Sequence, residues 1–498
     1  MTASGYVLDQ KSASGIPGVM VSNQHQVVLT DENGYYELPL EEDCSIFISK
    51  PAGYVLPVNA LHQPQFYYLY RPSGSPETEI APYPGVLPTG EVPNPLNFYL
   101  IKTEVETEFR AVLMGDIQPE TSLEVGYFQQ LGVPALQRES ADFMVPLGDL
   151  AWDELEVHPA VRDAIGSVGK PWFPVMGNHD INVRATQARY ARETYQSYFG
   201  PTYYSFDYGQ VHFVVLDDIG YSGWNKKREE QGITEGRLDD RQLKWLASDL
   251  ALVPKDKLVF LLSHIPVYTK TAAKNPYRNI VNRQALYALL KKHPHLFSVS
   301  AHTHTIEHVN LSEGGWTRKN PFHSLIAGAV CGAWWQGPLL EDGLPIRMAM
   351  DGVPNGYFVF NFNGVEFNYQ FKPLGVPESR SRYVLRFPKA DRSALPQLII
   401  NAFATHPDAQ IEVRWDDGDF QTLTQFEGTD PYVEEFLKKH LDKYNVWMAA
   451  KVNRHLWKGF LPKGLENGMH QIEVRITDKN GEQYGGMHTL DVQTGVLA

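Results

Sequence analysis

The sequence predicts an α/β central domain flanked by two all-β domains. Between residues 108 and 335, apolar runs of about five residues alternate with helix-length polar segments, a pattern typical of layered α/β domains. Both flanks instead carry short strands bounded by turn residues. The chain has 498 residues, enough for about three domains. We expect these domains at residues 1–105, 106–378 and 379–498.

The first flank contains short apolar stretches separated by turn residues. The predicted strands are Gly5–Leu8, Val19–Val21, Gln26–Leu29 and Tyr35–Leu38. Asp31-Glu32-Asn33-Gly34 is a strong hairpin signal between the last two strands. Residues 72–95 are rich in proline, glycine and serine, and this composition predicts an irregular connector.

The central region contains the predicted α/β layers. Its predicted strands are Ala111–Met114, Phe143–Leu147, Phe173–Met176, Val211–Leu216, Leu258–Leu262 and Leu296–Ser300. The segment Gln242–Leu252 has the spacing of an amphipathic helix, which we interpret as a packing helix.

After about residue 380 the pattern returns to short strands. The predicted strands are Tyr383–Phe387, Gln397–Ala402, Ile411–Trp415 and Gln471–Thr477. A helix is expected within Asp430–Tyr444, inserted into a second β-sandwich.

The composition disfavours several classes of partner. The formal net charge is −14, and no long run of Lys and Arg occurs, so we expect no nucleic-acid partner. No apolar run approaches the roughly 20 residues of a transmembrane helix. Cys44 and Cys331 lie far apart in the sequence, and we expect two buried free thiols rather than a disulfide.

Five short polar motifs each follow an apolar run. They are Gly115-Asp116-Ile117-Gln118, Gly148-Asp149-Leu150, Gly177-Asn178-His179-Asp180, Ser263-His264-Ile265-Pro266 and Ala301-His302-Thr303-His304. In α/β sheets, ligands bind where loops converge at the carboxyl ends of the strands. We therefore expect the five motifs to present their side chains to one point.

The residue types in these motifs fit a binuclear metal site. Asp, Asn, Gln and His supply oxygen and imidazole ligands, which suit Mn, Fe, Mg or Zn. Two divalent cations can clamp the attacking and leaving oxygens of a phosphoryl displacement and can activate a water at neutral pH. The motifs therefore predict a small phosphorylated substrate, whose negative charge the cations would balance.

In their order and strand context, the five motifs resemble those of the calcineurin-like metallophosphoesterase superfamily over roughly residues 108–335. The resemblance implies a four-layer α/β/β/α core that hydrolyses phosphoric esters or anhydrides. The implied metal ligands are Asp116, Gln118, Asp149, Asn178, His264, His302 and His304. Asp149 would bridge both metals. His179 would bind no metal and would protonate the leaving oxygen, which makes Asp149 and His179 the expected catalytic residues.

The sequence departs from the superfamily pattern at two positions. Gln118 stands where a histidine is usual in the first metal's site, and Ala301 stands where a glycine is usual. In the superfamily an acid three residues after the bridging Asp often supports the catalytic histidine. That position is Trp152, followed by Asp153 and Glu154, and the sequence does not decide between them.

The leading hypothesis is a binuclear metal-dependent phosphoesterase. Gln118 makes the first metal's site rich in oxygen ligands, which favours Mn²⁺ over Zn²⁺. It also favours a phosphodiester or diphosphate substrate, because superfamily branches with Gln at this position include diphosphate-cleaving ones. Two alternatives stay open: a phosphomonoesterase, and a glycan- or protein-binding protein with a degenerate metal centre.

The flanks carry a second resemblance. Gly15–Val19 and Thr30–Tyr36 are similar to segments of transthyretin-like or carboxypeptidase-regulatory-like sandwiches. The three-part layout is similar to that of bacterial phosphoesterases with dedicated β-domains at both ends. Such proteins are usually exported, so we expect a periplasmic or secreted protein although no signal peptide is visible in this sequence. A cytoplasmic location is the alternative.

Three further features have mainly structural interpretations. His212 lies inside the apolar run Val211–Leu216 and is expected in the core. The turn-rich segment Asp351–Tyr357 predicts a structural turn. Trp334 and Trp335 either line the substrate pocket or pack in the core.

Overall fold

A computed structural model describes residues 2–41, 43–377, 382–388, 397–479 and 481–492. Its first compact unit comprises Met1–Thr303, Val309–Cys331 and Tyr357–Gln370. The second unit comprises His304–His308, Gly332–Gly356 and Phe371–Ala498. The predicted domain boundary between residues 378 and 379 lies outside the described residues.

The N-terminal part of the first unit is all-β, as predicted. Its strands are β1 (Thr2–Asp9), β2 (Met20–Ser22), β3 (Val27–Leu29), β4 (Tyr35–Pro39), β5 (Ser45–Ser49), β6 (Tyr54–Val55), β7 (Tyr67–Leu69) and β8 (Phe98–Lys102). They form two four-stranded sheets, with strand orders β4-β1-β8-β6 and β3-β2-β5-β7.

The predicted hairpin at Asp31–Gly34 is wrong, although the turn itself is present. The amide of Gly34 donates to the carbonyl of Asp31 at 3.0 Å, which closes the turn. However, β3 pairs with β2, whereas β4 pairs with β1, so the two strands around the turn lie in different sheets. The local turn chemistry is that of a hairpin, but it specifies only the bend and does not make the two strands partners.

The connector after β7 binds the N-terminal part to the core of the same unit. It contains the short helix α1 (Glu77–Ile80). Arg71 Nε is 3.0 Å from both carboxylate oxygens of Glu193, and both side chains are only 3% exposed. Glu79 accepts hydrogen bonds from the amide and the hydroxyl of Thr186. Removing one partner of a buried ion pair such as Arg71–Glu193 typically lowers the free energy of unfolding by about 3–5 kcal/mol.

The α/β core confirms the predicted fold class, with two sheets and helices alternating along the chain. Its elements are β9 (Glu108–Met114), α2 (Ser122–Arg138), β10 (Phe143–Pro146), α3 (His158–Gly166), α4 (Glu193–Phe199), β11 (Tyr204–Tyr208), β12 (Val211–Val215), β13 (Ile219–Tyr221), β14 (Thr234–Gly236), α5 (Asp240–Leu252), β15 (Leu258–Leu262), α6 (Arg283–Leu290), β16 (His295–Ser300), β17 (Ile306–Asn310), β18 (His323–Ala327), β19 (Gly356–Asn363) and β20 (Glu366–Pro373). Short 3₁₀ turns occur at Leu155–Val157, Ala188–Arg192 and Pro276–Arg278.

Parallel pairing brings the chemical motifs to one edge of each sheet. The strand orders are β10-β9-β19-β20 and β11-β12-β15-β16-β18-β17, with β13 and β14 forming a separate pair. Strands β12, β15, β16 and β18 run parallel, as do β9 and β10. Their carboxyl ends therefore face the same way, and the loops that follow them can converge.

Stacked aromatic rings occupy the core of the first unit. Phe173 and Phe206 stack with ring centroids 4.0 Å apart, and Phe143 meets Phe213 edge-on at 5.4 Å. Phe143, Phe206 and Phe213 lie on three different strands, and Phe173 lies in an extended segment outside them. The apolar runs that the sequence analysis identified therefore meet in one buried core.

The strand predicted at Phe173–Met176 is wrong. The segment is extended but forms only two isolated bridges, between Met144 and Trp172 and between Leu147 and Val175. The amides of Phe173 and Val175 donate to the carbonyls of Met144 and Pro146, but Pro146 has no amide hydrogen to donate in return, which interrupts the ladder. The apolar run is buried as expected, but its backbone does not form a regular strand.

Within the described residues, the second unit contains a β-sandwich and an α-helix. Its elements are β21 (Val384–Arg386), β22 (Gln397–Asn401), β23 (Gln410–Trp415), β24 (Gln421–Thr422), β25 (Thr424–Gly428), α7 (Pro431–Lys439), a 3₁₀ turn at Leu441–Lys443, β26 (Asn453–Phe460), β27 (Gly468–Thr477) and β28 (Gln483–Val492). Two four-stranded sheets, β21-β22-β26-β25 and β24-β23-β27-β28, enclose a core that includes Ile400, Ile411 and Trp457. The predicted strands and the helix within Asp430–Tyr444 are thereby confirmed.

Other sequence predictions can be compared directly with the structure. Cys44 and Cys331 are both buried and, among the described residues, neither forms a disulfide, as expected. Asp351 is fully buried and accepts hydrogen bonds from the amides of Ile306 and Val353, which supports a structural turn there. None of the helices among the described residues is both long and apolar enough to cross a bilayer.

His212 lies in the core, held between two carboxylates. Its Nδ1 is 2.7 Å from Asp207 and its Nε2 is 2.8 Å from Asp249, which lies on α5. Burial lowers the pKa of His212, but the charges and hydrogen bonds of Asp249 and Asp207 outweigh burial and raise the pKa to about 9. The imidazolium is therefore the form that the fold prefers at neutral pH.

We expect the stabilising effect of His212 to disappear at alkaline pH. The pKa in the fold lies above the value of about 6.5 in an unfolded chain, so this contribution is complete below pH 6.5 and is lost as pH rises through 9. Urea unfolding of metal-loaded wild type and His212→Gln at several pH values would measure it. The difference in unfolding free energy should shrink from about pH 6.5 to pH 9. A constant difference over this range would contradict the assignment.

Candidate metal centre

Four of the predicted ligands converge in the first unit. The ligand atoms of Asp149, His264 and His302 all lie within 4.8 Å of one another. His264 Nε2 is 3.2 Å from Asp149 Oδ2, 3.2 Å from His302 Nδ1 and 3.1 Å from the amide oxygen of Asn178. Asp149 follows β10, His264 follows β15 and His302 follows β16. The three side chains therefore lie together at the carboxyl ends of these strands, as the sequence predicts.

Hydrogen bonds on the outer side of these residues determine which atom faces inward. His264 Nδ1 donates to the carbonyl of Leu147 at 2.8 Å, which leaves the lone pair on Nε2. His302 Nε2 donates to the carbonyl of Tyr277 at 3.0 Å, which leaves the lone pair on Nδ1. The amide nitrogen of Asn178 donates to the hydroxyl of Tyr277 at 2.8 Å, so its oxygen points inward. Such outer partners are usual for metal ligands.

The inward-facing atoms fit a divalent cation. Two imidazole nitrogens, an amide oxygen and a carboxylate oxygen approach one another, with Nε2 of His264 3.1–3.2 Å from each of the other three atoms. Burial lowers the pKa of His264, but the charges of Asp149 and Asp116 and the hydrogen bond to Asp149 raise it to about 10. The same negative field would hold a cation in place of this proton. The donor set is of the nitrogen and oxygen type that suits Mn, Fe or Zn.

Asp116 and Gln118 border the same cluster. Asp116 Oδ2 accepts a hydrogen bond from the amide of His302 at 3.0 Å. The side-chain nitrogen of Gln118 donates to Asp149 Oδ2 at 3.1 Å, and its backbone amide donates to the Asp149 carbonyl at 2.9 Å. Within the described residues, the buried side-chain oxygen of Gln118 has no hydrogen-bond partner. A buried acceptor in this state fits an additional cation ligand.

His304, the seventh predicted ligand, belongs to the second unit. Its Nδ1 donates to the carbonyl of Gly332 at 3.0 Å, which leaves the lone pair on Nε2. Its ring stacks on Trp334 with centroids 3.8 Å apart and an interplanar angle of 15°. Trp334 also meets Trp447 edge-on at 4.8 Å. The sequence left open whether Trp334 lines the pocket or packs in the core, and the structure shows that it packs against the predicted ligand His304.

Four of the predicted ligands have a strained backbone conformation. Gln118, Asp149, His302 and His304 have φ angles of 41°, 50°, 68° and 55°, in the left-handed region that side chains other than glycine rarely adopt. Each such residue costs about 1–3 kcal/mol and persists only where surrounding structure enforces it. The strained backbone is consistent with a metal site, where the orientation of the ligand side chains is maintained at the expense of local stability.

Two motif glycines are required by close approach of neighbouring atoms. A Cβ on Gly177 would lie 2.1 Å from the backbone nitrogen and from a carboxylate oxygen of Asp149. A Cβ on Gly148 would lie 2.6 Å from Nδ1 of His264. Any larger residue at either position would push a predicted ligand out of place.

His179 lies beside the cluster with Asp153 as its partner. Its backbone amide donates to Asp149 Oδ1 at 2.9 Å, and its Nδ1 is 2.7 Å from Asp153 Oδ1. Of the residues that the sequence left open as the partner of His179, the structure therefore identifies Asp153. Burial lowers the pKa of His179, but Asp149 and Asp153 raise it to about 9. Cations bound by Asp149 would weaken that carboxylate's share of the effect.

Asp180 and Tyr277 have roles that the sequence analysis missed. Asp180 is fully buried and accepts hydrogen bonds from the amides of Leu150, Ala151 and Gly177 at 2.8–3.0 Å. It thereby ties together the loops that carry Asp149 and Asn178. The position of Asp180 at the end of the motif Gly177-Asn178-His179-Asp180 could have indicated this role. Tyr277 belongs to no motif, and nothing in the sequence distinguishes it.

Three protein-family models match successive parts of the chain. Residues 109–305 match the model described as calcineurin-like phosphoesterase. Residues 1–80 match the N terminal of calcineurin-like phosphoesterase, and residues 325–484 match the C terminal of calcineurin-like phosphoesterase. No curated protein gives a significant match.

Solved structures with a similar chain trace include two phosphatases. A dimetal phosphatase from Danio rerio is 16% identical, with a TM-score of 0.36, and the match covers 52% of this chain and 98% of that chain. A purple acid phosphatase, PPD1, from yellow lupin (Lupinus luteus) seeds is 13% identical, with a TM-score of 0.38 and coverage of 75% and 71%. Both scores are low, and the family matches alone carry the assignment.

Proposed function

The chain belongs to the calcineurin-like phosphoesterase family and is a metal-dependent phosphoesterase, and we propose that it hydrolyses a phosphodiester or diphosphate bond of a small molecule. The observation that supports metal-dependent hydrolysis is the convergence of Asp149, Asn178, His264 and His302 at one point. Two cations at this centre would polarise the phosphoryl oxygens and lower the pKa of a bound water.

The chain's own residues supply the remaining chemistry. His179 donates Nδ1–H to Asp153, so Nε2 is the atom that can transfer a proton to the leaving oxygen. The hydrogen bond from the His179 amide to Asp149 fixes the distance between the proton donor and the bridging carboxylate. Asp180 holds the two loops that carry these residues, so the arrangement is formed before substrate binds.

The proposal for a diester or diphosphate rests on Gln118. Its neutral amide oxygen, in place of an imidazole, is the feature that the sequence shares with diphosphate-cleaving branches of the superfamily. The test is a substrate panel with added Mn²⁺ that covers monoesters, diesters, nucleoside diphosphates and phospholipid head groups. We expect the highest kcat/KM on a diester or diphosphate. Preferential hydrolysis of monoesters would establish the phosphomonoesterase alternative instead.

Gln118 also leads to a prediction about the metal. With Asp116, Gln118 and Asp149, the first site offers mostly oxygen ligands, which favour Mn²⁺ or Mg²⁺, whereas imidazole-rich sites suit Zn²⁺. We therefore expect chelator-stripped enzyme to regain more activity with Mn²⁺ than with Zn²⁺. Gln118→His should tighten the first site.

Metal titration of the apo-protein tests this prediction. Phosphate release and metal stoichiometry are followed together for each cation, in wild type and in Gln118→His. Gln137→His is the matched control, because this side chain lies outside the metal centre and donates to the carbonyl of Ser167. Best reactivation by Zn²⁺, with both affinities unchanged in Gln118→His, would show that Gln118 is not a ligand.

We further propose a periplasmic or secreted location. The support is the three-part layout, with β-domains on both sides of the phosphoesterase core. Fractionation of cells that express the native gene, with immunodetection, tests this proposal. Recovery of the protein in the cytoplasmic fraction alone would refute it.

A further inference from the structure

Tyr277 lies in the loop that leaves the carboxyl end of β15. It sits in the 3₁₀ turn Pro276–Arg278, which begins at Asn275, and the side-chain oxygen of Asn275 accepts from the Tyr277 amide at 3.0 Å. This cap fixes the backbone of the turn, and the side chain of Tyr277 is half-buried. The residue therefore has a defined position relative to the cluster that contains His264.

The same residue contacts two predicted ligands of the second metal through different atoms. Its hydroxyl accepts from the amide nitrogen of Asn178 at 2.8 Å, and its carbonyl accepts from His302 Nε2 at 3.0 Å. Its ring also meets the His302 imidazole edge-on, with centroids 4.8 Å apart. Both hydrogen bonds engage the end of the ligand that faces away from the centre.

We propose that Tyr277 is a positioning residue for the second metal, because its hydroxyl orients the amide of Asn178 and its carbonyl orients the imidazole of His302. The inference rests on the proposed metal centre. An asparagine side chain can present either its oxygen or its nitrogen after rotation by half a turn. Only the oxygen can bind a cation, and the Tyr277 hydroxyl is the group that selects it.

The effect of removing this hydroxyl is specific. In Tyr277→Phe the carbonyl still holds His302, but the Asn178 amide can turn its nitrogen towards the centre. Loss of such an outer partner typically weakens a metal site by about 10–100-fold. We expect this loss for one of the two cations, while the other cation keeps its affinity.

The experiment is a titration of the metal-free full-length protein with Mn²⁺ and with Co²⁺. Stoichiometry is measured by elemental analysis, and the Co²⁺ visible spectrum reports ligand geometry, so no turnover is needed. Tyr268→Phe is the matched control, because Tyr268 lies in the same loop and its ring packs under Arg283. We expect the control to retain both affinities and the wild-type spectrum.

A double-mutant cycle with Asn178→Ala decides whether the hydroxyl acts through Asn178. We expect Tyr277→Phe to add no further loss of affinity once Asn178 is alanine. Equal losses in both backgrounds, or unchanged affinities in Tyr277→Phe, would overturn the proposal. Wild-type protein that binds no divalent cation would overturn it together with the metal centre. Two bound cations without hydrolysis of any phosphoester would refute only the proposed function.

Discussion

Replacement of Asp149 by asparagine is expected to abolish turnover and to lower the metal content of the protein. One oxygen of this carboxylate lies 3.2 Å from His264 Nε2 and the other accepts from the His179 amide at 2.9 Å, so its charge serves the centre and the proton donor together. The amide in Asp149→Asn is neutral and presents a hydrogen-bond donor on one side. Because the Asp149 carboxylate would bridge two cations, loss of its charge weakens both metal sites at once.

Activity assays and elemental analysis of the same preparation measure this effect. Asp163→Asn is a suitable control, because Asp163 is 57% exposed and pairs only with the neighbouring Arg162 at the surface. The control should retain full metal content and activity. An Asp149→Asn protein with bound metal and near-normal turnover would show that the metal centre is assigned to the wrong residues.

His179→Ala should separate catalysis from metal binding. We expect both metals to remain bound while kcat falls by roughly 10²–10⁴-fold, the usual effect of losing a general acid. The reason is that His179 contacts Asp149 only through its backbone amide, which alanine retains. Esters with good leaving groups should lose less activity, because their leaving oxygens need less protonation.

A series of aryl esters with graded leaving-group pKa values tests this prediction, with metal analysis of each protein. Asp153→Asn should show the same dependence at smaller amplitude, because Asp153 acts on the reaction only through His179. His25→Ala, at a partly exposed histidine paired with Glu41, is the control. Loss of metal in His179→Ala would instead make His179 a ligand.

The position of the site could be predicted from the sequence because parallel strands impose it. Strands β15 and β16 are parallel neighbours in one sheet, and β9 and β10 are parallel neighbours in the other, so the residues after their carboxyl ends lie at one edge of each sheet. The polar residues after each apolar run then identify the donors. The position of Tyr277 could not be predicted in this way, because its contacts depend on the path of the loop between β15 and α6.

The choice of Asp153 as the partner of His179 also required the structure. Asp153 has a φ of 62°, so the chain turns sharply after Trp152 and presents the carboxylate to the imidazole. The superfamily spacing falls on Trp152, which is not an acid, so the sequence left the choice among Trp152, Asp153 and Glu154 open. The hairpin predicted at Asp31–Gly34 failed for a related reason, because turn chemistry specifies a local bend and not the pairing of the strands it joins.

The ion pair between Arg71 and Glu193 has a consequence for synthesis on the ribosome. The two residues are separated by 122 positions, yet both are almost completely buried in the finished protein. At a synthesis rate of about 5–20 residues per second, Glu193 is made on the order of 10 s after Arg71. During that interval Arg71, in the connector after β7, lacks the carboxylate of Glu193 with which it pairs in the finished protein. Formation of this ion pair is therefore coupled to translation of the phosphoesterase core.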